Sequence, residues 1–145
     1  MIPEDARRRL SWHGVLLVLL GLLSGAVVPV LENPRMGVAA HLGGIMDGMV
    51  LILLGLIWAE LTLGPRLASA TFWIMLYSAY AGWAAQVLAA VFGTSRAMPL
   101  AGAGHVGTEW QEVLVLIVAI SFSIAISIGG GVVLYGLRRN PTRQA

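Results

Sequence analysis

Residues 37–59 read GVAAHLGGIMDGMVLILLGLIWA, an apolar run that carries only two ionisable groups, His41 and Asp47. A transmembrane α-helix needs about 20 predominantly apolar residues, so this run is long enough to cross a bilayer. Three further apolar runs occupy residues 11–31, 67–92 and 113–137. Prolines and glycines, which end helices, lie between the runs. The sequence therefore predicts an all-α fold with four membrane spans.

Composition supports the same class. The 145 residues are 58% hydrophobic and 11% charged, whereas soluble domains are about 45–50% apolar and about 25% charged. The absence of cysteine excludes disulfides and thiolate metal sites. No basic run is interleaved with aromatic residues, so nucleic acid is not a predicted partner. Little remains outside the spans, and we expect residues 1–145 to form a single integral membrane four-helix bundle in the lipid bilayer.

The distribution of arginine predicts the orientation of the chain. An even number of spans places both termini on one side, together with seven of the nine arginines: Arg7, Arg8, Arg9, Arg66, Arg138, Arg139 and Arg143. The other side holds Arg35 and Arg96. Because cytoplasmic loops carry the excess of positive charge, we expect both termini in the cytoplasm and the spans in the inner membrane. Trp12, Trp58 and Trp110 lie at span ends, as is typical of an interfacial aromatic belt.

One face of the second span is rich in glycine. At 100° per residue, His41, Gly44, Gly48, Ile52 and Gly55 lie on the same side of the helix. The glycines predict a groove beside the imidazole in which a flat or bulky group could lie. The alternative is that Gly44 and Gly48 form a helix-packing motif and that His41 is an interfacial hydrogen-bonding residue.

Asp47 is the second candidate in this span. It lies about 9 Å along the axis and about 120° around the helix from His41, so the two residues do not share a face. They could meet across a subunit interface or on opposite sides of one cofactor. No cationic partner is present in any span, so we expect Asp47 to be neutral and able to donate a hydrogen bond or a proton. The alternative is a packing role, with Asp47 bonded to a neighbouring helix.

The third span carries an aromatic stripe at helical spacing: Trp73, Tyr77, Tyr80, Trp83 and Val87. Most such stripes pack a core, but the phenolic hydroxyls of Tyr77 and Tyr80 could contact a ligand. His13 lies near the end of the first span, where an interfacial role is expected. His105 lies in a glycine-rich loop and either covers the mouth of a site or is solvated.

Several short motifs resemble those of a known family. They are NPRMG at 33–37, AHL at 40–42 and GIMDG at 44–48, with supporting segments GWA at 82–84 and GH at 104–105. Together they resemble the small membrane family that contains hydroxylaminobenzene mutase and styrene oxide isomerase, and the similarity covers most of the chain. The NPRMG run and the chain length are closer to the mutase branch.

The resemblance implies a redox-neutral intramolecular rearrangement of a small aromatic substrate by a homotrimer that holds ferric haem b between its subunits. It makes His41 the axial ligand of an iron that acts as a Lewis acid. The glycine face at Gly44 and Gly48 would let the porphyrin approach the backbone. A haem between subunits would also place His41 of one chain and Asp47 of another on opposite faces of the cofactor.

Two positions depart from the isomerase branch. Asp47 stands where the isomerases carry asparagine, which introduces a group able to exchange a proton with the leaving oxygen of an N-hydroxylamine. The isomerases also use a tyrosine in the third span, where alignment on the GWA segment places a small residue near Ala89. Tyr80 is the substitute candidate for that catalytic tyrosine.

Three functions are compatible with these features. The first is conversion of hydroxylaminobenzene to 2-aminophenol, and the second, within the same class, is isomerisation of an aryl epoxide to an arylacetaldehyde. The third is a non-catalytic haem-binding or structural bundle in which Gly44 and Gly48 serve oligomerisation. An electron-transfer subunit would need two axial ligands, and His41 is the only histidine well inside a span.

Overall fold

The computed structural model describes residues 3–102 and 104–138. Four long helices follow one another along the chain, with a four-residue helix before the last: α1 (Pro3–Val27), α2 (Pro34–Ile57), α3 (Pro65–Phe92), α4 (Pro99–Gly102) and α5 (Glu109–Gly136). Short 3₁₀ turns follow α1 and α2, at Val28–Val30 and Trp58–Glu60. The long helices are apolar enough to cross a membrane, which confirms the predicted all-α, four-span class.

Local capping explains why the helices begin earlier than their apolar runs. Proline occupies the first turn of both α2 and α3, where its missing N–H costs no hydrogen bond. A capping box formed by Thr108 and Gln111 starts α5 at Glu109, upstream of the apolar boundary at residue 113. The first helix begins at Pro3, so the three arginines at 7–9 lie on α1. Arg139 and Arg143 lie outside the described residues.

Glycines on both helices allow α1 and α2 to pack closely against each other. A Cβ placed on Gly48 would lie 2.6 Å from the carbonyl oxygen of Gly14, and a Cβ on Gly44 would lie 2.7 Å from the Cα of Gly21. Gly55 lies in the same way against Ser11 of α1. Small residues let two backbones approach closely in a bilayer, where dispersion contacts rather than the hydrophobic effect hold helices together. The glycine face of α2 is therefore the surface that packs on α1.

Helix α3 is the central element of the bundle. It packs against α2 and α5 and contacts α1, whereas α5 packs mainly on α3. The contact between α3 and α5 includes Gly82 against the ring of Phe122 and Met75 against Gly129. Most of the α5 surface therefore faces away from the rest of the chain, and its exposed side chains include four isoleucines: Ile117, Ile120, Ile124 and Ile128.

The tryptophans at the span ends do not all behave alike. Trp12 and Trp110 are 61% and 60% exposed, as an interfacial belt requires. Trp58 is only 7% exposed and packs edge-to-face on Phe72 of α3, with ring centroids 6.3 Å apart. The belt prediction is wrong for Trp58, because its ring fills the space between α2 and α3.

Candidate active site

His41 lies two turns into α2, and α1 orients its ring. The helix begins at Pro34, because the side chain of Asn33 accepts a hydrogen bond from the backbone N–H of Met36. The Nδ1 atom of His41 lies 2.8 Å from the carbonyl oxygen of Gly21. A carbonyl oxygen can only accept, so Nδ1 carries the proton and Nε2 of the neutral ring keeps its lone pair.

Gly25 provides the space for this ring. A Cβ at residue 25 would lie 2.5 Å from Nδ1 of His41 and 2.9 Å from its Cε1. Gly21 and Gly25 are one helical turn apart, so one face of α1 supplies both the acceptor and the room for the imidazole. Among the described residues, Nε2 of His41 has no hydrogen-bond partner.

The groove expected beside His41 is not open. Gly44 and Gly48 are buried beneath α1, and no flat group could lie on this face without displacing that helix. Within the chain, α1 fills the groove that was expected beside the imidazole, because the same glycines serve the contact with that helix. Direct contact of Gly44 and Gly48 with a cofactor stays a prediction, while their helix-packing role is visible in the chain.

Trp83 closes the other side of Gly44. Its Cδ1 atom would lie 2.8 Å from a Cβ on Gly44. Its Nε1 donates a hydrogen bond of 3.1 Å to the hydroxyl of Ser24, which in turn donates to the carbonyl of Leu20. These two bonds fix the indole between α1 and α2. The sequence placed Trp83 in a packing stripe and offered no signal for its partner on α1.

Asp47 faces α3 rather than α1. Its Oδ2 atom lies 3.0 Å from the position of a Cβ on Gly82, where the ring of Phe122 also approaches. One turn away, the side chain of Gln86 contacts Gly43 of α2. Within the described part of the chain the carboxyl group of Asp47 makes no hydrogen bond to another side chain or to the backbone. The expectation that His41 and Asp47 do not share a face is confirmed.

The two tyrosines of the third span have protein partners. The hydroxyl of Tyr80 lies 3.1 Å from Nδ1 of His13, and the two rings meet edge-on. The hydroxyl of Tyr77 lies 2.7 Å from that of Ser121 on α5. His13, expected at the interface, is thus part of a hydrogen-bonded pair between α1 and α3. The catalytic role of Tyr80 stays a prediction.

The loop between α3 and α5 is held by a buried carboxylate. Glu112 is 4% exposed and accepts hydrogen bonds from the backbone N–H groups of Ser95, Arg96 and Gly107 at 2.9–3.3 Å. An ion pair of 2.8 Å joins Arg96 to Glu109 on the outside. The hydrogen bonds that Arg96 donates to Glu109 raise the pKa of its guanidinium. Sequence reasoning missed Glu112, because its donors are backbone atoms up to 17 residues away.

This loop also contains His105 and is tied to the start of α2. Asn33 is fully buried, donates its backbone N–H to Ala90 and its side-chain amide to Ala101. The Nδ1 atom of His105 is buried and has no hydrogen-bond partner among the described residues. His105 as a whole is half-buried, so both expectations, a cover over the mouth of a site and a solvated loop residue, stay predictions.

Comparisons with known proteins identify the family to which the chain belongs. The family model described as styrene oxide isomerase matches residues 6–138. Hydroxylaminobenzene mutase HabB of Ectopseudomonas oleovorans is 43% identical over 138 residues, which are 94% of this chain and 84% of the relative. Hydroxylaminobenzene mutase HabA of the same organism is 40% identical over 127 residues, 87% of this chain and 94% of the relative. No solved structure matches the chain. The chain belongs to the styrene oxide isomerase family and is an isomerase.

Proposed function

We propose that this isomerase is a haem-dependent membrane enzyme that converts hydroxylaminobenzene to 2-aminophenol. The substrate class is supported by the two relatives named hydroxylaminobenzene mutase, each aligned over most of both chains. Substrate and product are isomers, so the reaction needs no external oxidant or reductant.

The observation that carries the haem proposal is the hydrogen bond between His41 and Gly21. Histidines that bind a metal commonly donate their other ring N–H to a backbone carbonyl or a carboxylate, which fixes the tautomer and makes the ligand nitrogen more basic. His41 has this arrangement, with Nδ1 bonded and Nε2 available. Nε2 of His41 would hold the iron, and ferric haem bound there would supply a Lewis acid toward the substrate oxygen.

Asp47 is proposed to handle the proton of the reaction. The rearrangement breaks the N–O bond, forms a C–O bond at the ortho carbon and moves one proton from that carbon to nitrogen. A neutral carboxyl group can donate a proton to the departing oxygen, and the resulting carboxylate can take the proton that the ortho carbon loses. The extra proton on oxygen passes to nitrogen once the C–O bond has formed, so the net change is one proton from carbon to nitrogen. The carboxyl group of Asp47 lies against Gly82 of α3, where the ring of Phe122 of α5 also approaches.

We also propose that the active enzyme is a homotrimer with its sites between subunits. His41 faces α1 and Asp47 faces α3, so one chain does not bring them together around a substrate. A site formed by two copies would allow both residues to contribute. The arginine asymmetry supports placement in the inner membrane with both termini in the cytoplasm.

The proposal is tested by absorption spectroscopy and product analysis of detergent-purified protein. We expect a Soret band and conversion of hydroxylaminobenzene to 2-aminophenol. The variant His41→Ala should lose both, while His105→Ala, a matched control outside the spans, should keep the band. A wild-type protein without haem, or a His41→Ala variant with an unchanged Soret band, would refute the assignment.

A second candidate reaction is isomerisation of an aryl epoxide to an arylacetaldehyde, which is favoured by the family model that matches residues 6–138. The same purified protein is therefore assayed with styrene oxide. Formation of phenylacetaldehyde at a higher kcat/KM than that for hydroxylaminobenzene would make the epoxide the preferred substrate class.

A further inference from the structure

A cavity of about 460 Å³ lies at the end of the bundle where α1 begins. It is lined by Asp5, Arg8, Arg9, Trp12 and His13. His41 contacts α1 at Gly21 and Gly25, at least eight residues or about 12 Å farther along the helix axis. The cavity is therefore separate from the site proposed for haem.

Arg9 is held in place by two aromatic rings of α3. The carbon of its guanidinium lies 5.0 Å from the centroid of Phe72 and 5.4 Å from that of Trp73. Stacking of this kind orients a guanidinium and leaves its N–H donors free at the edge. Among the described side chains, Arg9 has no carboxylate within ion-pair distance, although Asp5 lies one turn away. Two guanidinium groups against one carboxylate give the cavity a positive charge.

An exposed apolar surface continues from the cavity into the membrane. Trp12 and Trp73 are 61% and 52% exposed beside the arginines. Along α1, exposed Val15, Leu19 and Leu23 follow Trp12 at helical spacing. The charged cavity is therefore continuous with an apolar stripe along α1. This arrangement matches a phospholipid, which has a charged headgroup and an apolar acyl chain.

We propose that this cavity binds the headgroup phosphate of an anionic phospholipid, whose acyl chain lies along the α1 stripe. Arg8 and Arg9 supply the positive charge, and Arg9 can donate two N–H groups to one phosphate. Trp12 provides an interfacial ring at the level where glycerol and acyl chain meet. A free phosphate ion would use the arginines alone and would leave the apolar stripe without a role. Basic pockets beside transmembrane helices bind anionic headgroups in this way.

The test measures the lipid retained by the full-length protein. Protein reconstituted in vesicles of phosphatidylcholine and phosphatidylglycerol is purified in mild detergent, and the ratio of the two bound lipids is measured by mass spectrometry. We expect enrichment of phosphatidylglycerol over the vesicle composition. Arg9→Gln and Arg8→Gln should each lower it about fivefold, which corresponds to about 1 kcal/mol for each arginine near a charged membrane surface.

Arg66→Gln is the matched control. Arg66 is exposed at the start of α3, on the same side of the bundle, and does not line the cavity. Enrichment that falls equally in Arg66→Gln and Arg9→Gln would overturn the proposal in favour of general surface charge. Displacement of phosphatidylglycerol by millimolar inorganic phosphate would overturn it in favour of a soluble anion. Retention of enrichment in Arg8→Gln and Arg9→Gln, both monodisperse on gel filtration, would overturn it as well.

Discussion

Substitution of Gly44 by alanine tests the contact between α1 and α2. The new Cβ would lie 2.7 Å from the Cα of Gly21 and 2.8 Å from Cδ1 of Trp83. Carbon atoms in contact are about 3.5–4.0 Å apart, so α1 must move by about 1 Å. The first atom belongs to the backbone and the second to an indole held by a hydrogen bond, so neither can yield by a change of rotamer.

The size of the effect follows from two opposing contributions. Overpacking of a well-packed contact costs about 1–3 kcal/mol. The better helix propensity of alanine returns up to about 1 kcal/mol. We therefore expect Gly44→Ala to lower the free energy of unfolding by up to about 2 kcal/mol, taking both principles together. Gly130 of α5 has no atom within 4 Å of the equivalent position. Gly130→Ala should thus be neutral or stabilise the protein by about 0.5–1 kcal/mol.

The two variants are compared by unfolding in increasing mole fraction of SDS, followed by far-ultraviolet circular dichroism of protein in mixed micelles. The difference between them, rather than either value, measures the helix contact, because both replace glycine by alanine within a helix. Equal midpoints for Gly44→Ala and Gly130→Ala would refute the close approach of α1 and α2. A midpoint lower in Gly130→Ala than in Gly44→Ala would do the same.

Three further substitutions test the loop and the proposed chemistry. Asn33→Ala removes the N-cap hydrogen bond to Met36 and the hydrogen bond to Ala101. It should lower the free energy of unfolding by about 1–2 kcal/mol in the SDS titration, and an unchanged midpoint would contradict the role of the buried cap. Glu112→Gln removes the charge that holds three backbone N–H groups, and we expect faster cleavage of the loop by added protease, with loss of about 1.5–3 kcal/mol. Asp47→Asn should lower kcat by about 10²–10⁴-fold while leaving the Soret band intact, and full turnover would remove Asp47 from the proton transfer.

The four spans were predictable because each apolar run is long, bounded by proline or glycine and almost free of charge. The pairing of helix faces was not. The Gly44 and Gly48 pattern is equally suited to a cofactor groove and to a neighbouring helix, and periodicity names no partner. Only the register of α1, which places Gly14 and Gly21 opposite, reveals the helix-packing role of these glycines.

The same limit explains what was missed in the candidate site. His41 and Asp47 were identifiable because ionisable residues are costly in a bilayer and stand out against an apolar run. The hydrogen-bond partners of Trp83 and Glu112 were not identifiable. The partner of Trp83 is a serine 59 residues away, and those of Glu112 are backbone N–H groups, which almost every residue possesses. Trp58 misled for a related reason: its position at a span end does not reveal whether a neighbouring helix covers it.

The hydrogen-bond acceptor that orients the His41 ring is the backbone carbonyl oxygen of Gly21, so a side-chain substitution cannot remove it. Replacement of Gly21 by any other residue leaves its carbonyl in place, so alanine scanning cannot delete the hydrogen bond. Such a replacement would act through size instead, since a Cβ at residue 21 would lie 2.7 Å from the backbone nitrogen of Ile45. Substitution at residue 21 is therefore limited by the volume of the new side chain. The tautomer of His41 depends only on the backbone of α1. Only a backbone edit, such as an ester in place of an amide, would weaken that acceptor directly.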